Sequence, residues 1–238
     1  MTDKTLVIAG RFNGPPNSGN GGYCCGLLAK YLDGPATVRL SSPPPLDVPL
    51  TVNRRDDSTV ELQWQNQLVA KASTANLDID VPAAPTLEQA DLASKGYAGF
   101  QQHSLPQCYV CGPGRPQNDG MHLFAGPVPD TDIHACVWSP HPDQLCNQES
   151  AVRPEIVWAA LDCPGYFALY GQTPKPALLG ELTATLDAPV DGRQNHVVFA
   201  WPISRDGRKL VAGTAIADRT GRVLARARAT WIELKLKS

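Results

Sequence analysis

The chain has 238 residues and a formal net charge of −2, and it is long enough for one large domain or two small ones. Lysine and arginine are dispersed among aspartate and glutamate, which excludes the strongly basic surface of a nucleic-acid-binding protein. The sequence has no uninterrupted apolar run of about 18 residues, so no transmembrane segment is predicted.

The first half of the chain predicts a strand, a helix and then four more strands. Residues 5–12 form a β-rich run. A helix is predicted over residues 21–32, because the Asp33-Gly34-Pro35 sequence directly after it would end it. The four later strands are predicted from β-rich and alternating runs at residues 37–40, 50–53, 59–64 and 68–74, with a tight turn at Asn66-Gln67.

A stretch rich in proline and glycine begins near residue 82 and separates the two halves. It carries one short helical piece, from about Leu87 to Ser94. We expect a first structural unit over residues 1–96, a connector over residues 97–118, and a second unit over residues 119–238.

The second half repeats the order of the first. A helix is predicted from Pro154 to Cys163, since proline suits the first position of a helix, and Pro164 should kink or end it. The strands are predicted at residues 122–125, 133–138, 179–186, 196–203, 209–218 and 223–236, the last three joined by hairpin turns at residues 205–208 and 219–222. Each half is therefore predicted to wrap a helix with an antiparallel sheet.

Four segments carry a resemblance to a known family. Residues 108–113 (CYVCGP) and 120–124 (GMHLF) resemble the CxxCG…GLxLxF opening of many thioesterase-like hotdog proteins. Residues 207–212 (GRKLVA) and 218–225 (DRTGRVLA) resemble that family's closing strands. With the repeated element order, the whole chain resembles a double hotdog, an α+β fold of two helices, each wrapped by a curved antiparallel sheet.

The two helices carry different chemical features at matching positions. The first opens at Asn20-Gly21-Gly22, and a helix start offers unpaired N–H groups and a partial positive charge. The second carries a single acid among apolar residues, Asp162. Asp162 lies nine positions after Arg153, and Ala29 lies nine positions after Asn20, so the helices align with the donors in one and the carboxylate in the other.

Hotdog thioesterases of the phenylacetate-pathway type have a His/Asn-Gly-Gly at the helix start and an acid nine residues later, acting across an interface. The resemblance implies one composite site in this chain, with Asp162, Gly22 and Gly21 as catalytic groups and with Asn20, Cys24 and Trp158 binding substrate. It implies hydrolysis of acyl-CoA or acyl-carrier thioesters without a cofactor, and it leaves room for a homodimer of double hotdogs. The opposite pairing, of Pro154 and Glu155 with Ala29, should be inactive.

Other interpretations of the same residues stay open. Asn20 could be a simple N-cap in a flexible loop, and Asp162 could cap the turn before Pro164. The protein could then be a catalytically decayed binder of acyl groups or acyl-CoA. Cys24, at the start of the first helix, is a further candidate nucleophile, because a thiolate would be stabilised there.

The cysteines predict neither disulfides nor a metal site. The seven cysteines are odd in number and include an adjacent pair, unlike a secreted disulfide framework, so we expect reduced thiols in a cytoplasmic protein. Cys108 and Cys111 have CxxC spacing but supply two ligands where structural zinc takes four. Four other residues could complete a site: Cys136, Cys146, His103 or His122. Without them, a turn with packed small thiols and no metal is predicted.

Overall fold

The computed structural model describes residues 4–146 and 150–235. Within them lie four α-helices: α1 (Gly21–Ala29), α2 (Leu87–Ser94), α3 (Pro154–Ala160) and α4 (Cys163–Tyr170). The strands are β1 (Lys4–Val7), β2 (Ala36–Leu40), β3 (Pro49–Asp56), β4 (Thr59–Trp64), β5 (Gln67–Thr74), β6 (Gly126–Pro127), β7 (His134–Trp138), β8 (Ala177–Leu186), β9 (His196–Asp206), β10 (Lys209–Ala217) and β11 (Val223–Glu233). None of the described helices is both long and apolar enough to cross a membrane.

All the strands belong to a single antiparallel sheet that runs through both halves of the chain. Its order is β1-β3-β4-β5-β2-β8-β11-β10-β9-β7-β6. The halves join where β2 pairs with β8, with Val38 opposite Leu182. At this seam the hydroxyls of Thr37 and Thr183 lie 2.8 Å apart and form a hydrogen bond. The α+β architecture predicted from the sequence is confirmed.

The two faces of the sheet bury different helices. The larger core lies on one face and contains the apolar residues of α1, α3 and α4, among them Leu28 and Ile156. On the other face, Ala90 and Ala93 of α2 pack against Ala135 and Phe199. The predicted helical piece at residues 87–94 is confirmed, and Thr86 and Gln89 close its first turn with a capping box. Helix α2 therefore covers the sheet strands of the second half from outside.

Several predicted elements of the first half are shorter or shifted. Strand β1 ends at Val7, and residues 10–12 form a 3-10 turn instead of continuing the strand. Helix α1 ends at Ala29, before the Gly34-Pro35 stop that the sequence offers. The turn predicted at Asn66-Gln67 lies one residue earlier, because Gln65 and Asn66 have positive φ values of 48° and 64°. Asparagine adopts this left-handed backbone conformation more readily than most residues, which suits Asn66 to the turn.

The strand predicted at residues 122–125 is wrong. Leu123 N–H donates to Val110 C=O of the CxxC segment at 2.9 Å, and just before the segment Met121 N–H donates to Tyr109 C=O at 2.8 Å. His122 between them has a positive φ of 52°, which breaks the extended backbone of a strand. The sheet strand of this region is the short β6, which comes next in the chain.

The second helix is broken into two at Asp162. Helix α3 ends at Ala160, and α4 begins at Cys163 with Pro164 in its first turn. Proline lacks the N–H that a helix interior needs but fits the first turn, where that group has no partner. Pro164 therefore starts a second helix, which the sequence prediction omitted. The break leaves Asp162 outside regular helical geometry, with φ −89° and ψ −84°.

A buried histidine in β7 predicts sensitivity of the fold to acid. His134 is buried, its ring nitrogens have no hydrogen-bond partner among the described residues, and burial lowers its pKa to about 4. In the unfolded chain the histidine side chain has its ordinary pKa of about 6.5. Above that pH His134 is neutral in both states, and burying it carries no cost of removing a proton. As the pH falls from about 6.5 to about 4, the unfolded chain binds a proton that the folded chain does not, and the free energy of unfolding falls by roughly 3 kcal/mol.

Urea unfolding of the wild type and of His134→Leu at pH 7 and pH 4.5 measures this effect. We expect the wild type to lose more stability between the two values than the variant does. Equal losses in the two proteins would show that His134 is not the acid-sensitive group.

Candidate functional site

Helices α1 and α3 contact each other closely because α1 has glycine on the facing side. A Cβ atom built on Gly22 would lie 2.7 Å from the carbonyl oxygen of Trp158 and 3.1 Å from the Cα atom of Ala159. A Cβ atom on Gly26 would lie 2.6 Å from the Cα atom of Glu155. Real Cβ contacts are longer than this, so no other residue fits without displacing α3. The glycines of α1 bring the two halves of the chain together at the backbone.

The carboxylate of Asp162 lies against the start of α1. Its Oδ2 atom accepts hydrogen bonds from the Gly22 N–H and from the Asn20 side-chain amide, each at 2.9 Å. Asn20 is the N-cap of α1, and its Oδ1 atom accepts the Tyr23 N–H at 2.9 Å. That bond fixes the amide orientation, so the Nδ2 atom is the one facing Asp162. The acid of the second half and the helix start of the first half therefore meet.

Asp162 is enclosed, and its environment changes its acidity. Asp162 and Asn20 are each 2% exposed, and the Oδ1 atom of Asp162 has no hydrogen-bond partner among the described residues. Burial raises the pKa of Asp162 to about 7, and the bonds from Gly22 and Asn20 oppose this rise. A carboxyl group with such a pKa can both accept and release a proton near neutrality.

Of the other residues predicted to form the site, Cys24 and Trp158 are buried and Gly21 is half-buried. The Sγ atom of Cys24 would be 2.5 Å from a Cβ atom built on Gly19, so this thiol fills the space that Gly19 leaves. Burial raises the pKa of Cys24 far above its ordinary value, and its thiol stays protonated. Trp158 packs over Gly26, and Gly21 lies against Leu179 of β8.

The pseudosymmetric position lacks this arrangement. Ala29 is buried and has no functional side chain. Glu155 forms an ion pair with Arg153 at 3.4 Å, beside the α1 glycines. No carboxylate of α1 therefore faces the start of α3.

A cluster of three cysteines lies beside Asp162, and the CxxC spacing of the sequence indicates only two of its members. Among the described residues, the Sγ atoms of Cys108, Cys111 and Cys163 lie within 4.8 Å of one another. None of the four residues considered for completing the CxxC pair takes part; Cys163 does. The adjacency of Cys163 to Asp162 was the one sequence signal that could have identified it. Hydrogen bonds from the Cys111 and Cys163 thiols lower the pKa of Cys108 below its ordinary value.

The segment that carries the CxxC pair covers the start of α1. Tyr109 N–H donates to the carbonyl oxygen of Asn13 at 2.8 Å, and the Phe12 ring lies between those of Tyr23 and Tyr109, with centroid distances of 4.1 Å and 4.9 Å. The guanidinium of Arg115 binds the Asn13 side chain and the backbone of the same loop. These contacts hold residues 105–121, named here the covering segment, over Asn20.

No protein-family model matches the chain, and a search of curated proteins finds no match. Solved structures match over nearly the whole chain. A candidate thioesterase from Novosphingobium aromaticivorans has a TM-score of 0.65 and 12% identity, over 98% of this chain and 95% of that one. A hot dog protein of unknown function from Alicyclobacillus acidocaldarius has a TM-score of 0.64 and 11% identity, over 98% and 93%.

The structure of the acyl-CoA thioesterase II TesB2 from Mycobacterium marinum also matches this chain over nearly its whole length. Its TM-score is 0.61 at 11% identity, over 98% of this chain and 93% of that one. Identities this low show a shared fold alone. That fold is the double hotdog fold, which the element order of the sequence predicts.

Proposed function

We propose that the protein hydrolyses thioesters, with acyl-CoA as the substrate class, at a single composite site formed by Asp162 and the start of α1. The observation that supports this proposal is the contact of the Asp162 carboxylate with Gly22 and Asn20, groups that come from the other half of the chain. We assign the two hotdog units to residues 1–96 and 119–238, joined by residues 97–118. On this division each unit supplies one part of the site.

In the proposed reaction Asp162 acts as the general base. It takes a proton from a water molecule, whose oxygen attacks the thioester carbonyl carbon. The tetrahedral oxyanion accepts hydrogen bonds from N–H groups at the start of α1, at Gly21 and Gly22. When the carbon–sulphur bond breaks, Asp162 returns its proton to the leaving thiolate, which departs as a free thiol. A pKa near 7 suits one carboxyl group to both transfers.

The reaction requires a rearrangement of the resting structure. Gly22 N–H bonds to Asp162 here, so that donor must exchange its carboxylate acceptor for the oxyanion. The 2% exposure of Asp162 means that a thioester carbonyl reaches it only when a covering group moves.

The same enclosure favours a second candidate function, a catalytically decayed protein that binds acyl groups or acyl-CoA. Because Asp162 is enclosed and already bonded to Gly22, it could serve as a structural link between the halves. A binding protein of this kind would need the fold and the acyl contacts, but no access of water to Asp162.

A panel of straight-chain, branched and aromatic acyl-CoA compounds separates the two functions. Release of free coenzyme A is monitored by chromatography, and the melting temperature of the protein is measured with each compound. A hydrolase should release coenzyme A from at least one class well above the uncatalysed rate. A ligand-induced rise in melting temperature without turnover would favour the binding protein, and the absence of both effects would contradict both proposals.

A further inference from the structure

Three buried thiols meet at a spacing that suits a metal ion. Cys108 and Cys111 belong to the covering segment, while Cys163 is the first residue of α4. Their Sγ atoms lie within 4.8 Å of one another, and those of Cys108 and Cys163 are 3.8 Å apart. Around a tetrahedral ion with metal–sulphur bonds of about 2.3 Å, neighbouring sulphurs lie about 3.8 Å apart. The protein therefore presents three ligand atoms close to coordination geometry.

The backbone of the CxxC turn holds two of these thiols in place. Gly112 N–H donates to the carbonyl oxygen of Cys108 at 2.9 Å, which closes the turn. A Cβ atom on Gly112 would lie 2.6 Å from both the nitrogen and the oxygen of Cys108, so the tight turn requires glycine there. The closed turn fixes the spacing of the two thiols, and the thiolate form of cysteine is the one that binds metals.

Asn20 supplies a hydrogen-bond donor to the cluster. Its Nδ2 atom lies 3.9 Å from the Cys108 sulphur and 3.8 Å from the Cys163 sulphur. Because the Asn20 Oδ1 atom is held by Tyr23 N–H, the amide N–H group faces the sulphurs. This amide donor is neutral, so it compensates only part of the cost of burying several thiolates. A cation between the sulphurs would compensate the rest.

We propose that Cys108, Cys111 and Cys163 bind one thiophilic d10 cation, Zn(II) or Cu(I). Thiolate ligands select ions of this class over harder cations such as Mg(II) or Ca(II). Three sulphurs complete a trigonal Cu(I) site, whereas Zn(II) takes one further ligand. The ion clamps the covering segment to the start of α4, next to Asp162, and thereby stabilises the contact between the two halves.

The first test uses wild-type protein that has been reduced and stripped of metal with a chelator. We expect it to bind one Zn(II), Cd(II) or Cu(I) ion per chain, with a thiolate-to-cadmium charge-transfer band and a higher melting temperature on loading. X-ray absorption of the zinc-loaded protein should show three sulphurs at about 2.3 Å. The metal content of protein purified without chelator distinguishes Zn(II) from Cu(I), and either ion on this sulphur set supports the site.

The second test uses matched cysteine variants. Cys163→Ser should weaken binding by about 100-fold or more, the range found when metal sites lose a supporting group. Cys136→Ser should bind as the wild type does, because Cys136 is equally buried but lies outside the cluster. If Cys163→Ser does not fold, the wild-type absorption spectrum decides. Failure of the wild type to bind one ion, a first shell without sulphur, or unchanged binding by Cys163→Ser would each overturn the proposal.

Discussion

Replacing Asp162 with asparagine should lower turnover of the best thioester substrate by about 100-fold or more, the scale of a lost general base. The variant should fold normally. Oδ2 of Asp162 accepts both the Gly22 and the Asn20 N–H groups, and the single oxygen of an asparagine side chain can take both bonds. Binding of a non-hydrolysable substrate analogue should change little, because the side chain keeps its size. The measurements are steady-state kinetics and analogue binding by calorimetry.

Glu155→Gln is the matched control for this variant. Glu155 is the acid of α3. It belongs to the opposite pairing, in which Pro154 and Glu155 face Ala29, and it forms an ion pair with Arg153. The composite site does not use it, so Glu155→Gln should keep its activity. Adding Ala29→Asp to the Asp162→Asn variant should not restore turnover, because Ala29 lies on the same helix as the donor glycines. Full activity of Asp162→Asn would refute the composite site, and Cys24 would be tested next.

Replacing Gly22 with alanine should destabilise the protein by roughly 1–3 kcal/mol, the usual cost of overpacking a core. The added Cβ atom would lie 2.6 Å from the Cβ atom of Asp162 and 2.7 Å from the carbonyl oxygen of Trp158. In an isolated helix the same change would stabilise by about 1 kcal/mol, so the sign of the effect is diagnostic. Urea unfolding of the free protein measures it.

Gly180→Ala is the control, since Gly180 lies in β8 and its nearest neighbour is the flexible side chain of Ile232, 3.1 Å from the added Cβ atom. We expect a much smaller loss there. The comparison distinguishes two roles for Gly22. If the glycine were needed only to let a substrate carbonyl approach the helix, Gly22→Ala would lose activity while keeping wild-type stability, and the helix-contact explanation would be wrong.

The alignment of the two helices was predictable because it depends on local sequence. Asn20 and Arg153 are the N-caps of α1 and α3, and each is identified by its next residue, glycine in one case and proline in the other. Counting nine residues from each N-cap then places Asp162 without any knowledge of packing. The alternating and β-rich runs likewise predicted most of the sheet strands, since strand periodicity is a property of consecutive residues.

Other features depended on contacts between distant parts of the chain. Pro164 can end one helix or begin another, and its local chemistry does not choose between them; packing of α4 against the sheet does. The segment at residues 122–125 has strand composition, yet its Leu123 N–H bonds to Val110 of the CxxC segment instead of to the sheet. In both places tertiary contacts overrode what the sequence favours locally.

The sequence by itself identified the residues that we propose to carry the chemistry: the glycines at the start of α1, the asparagine cap, the lone acid and the CxxC pair. Only the tertiary structure decided what those residues touch. It enclosed Asp162, occupied the Gly22 N–H with its carboxylate, and brought Cys163 to Cys108 across 55 positions of the chain. Burial and long-range contacts arise when separate elements pack together, and no pattern within one element records them.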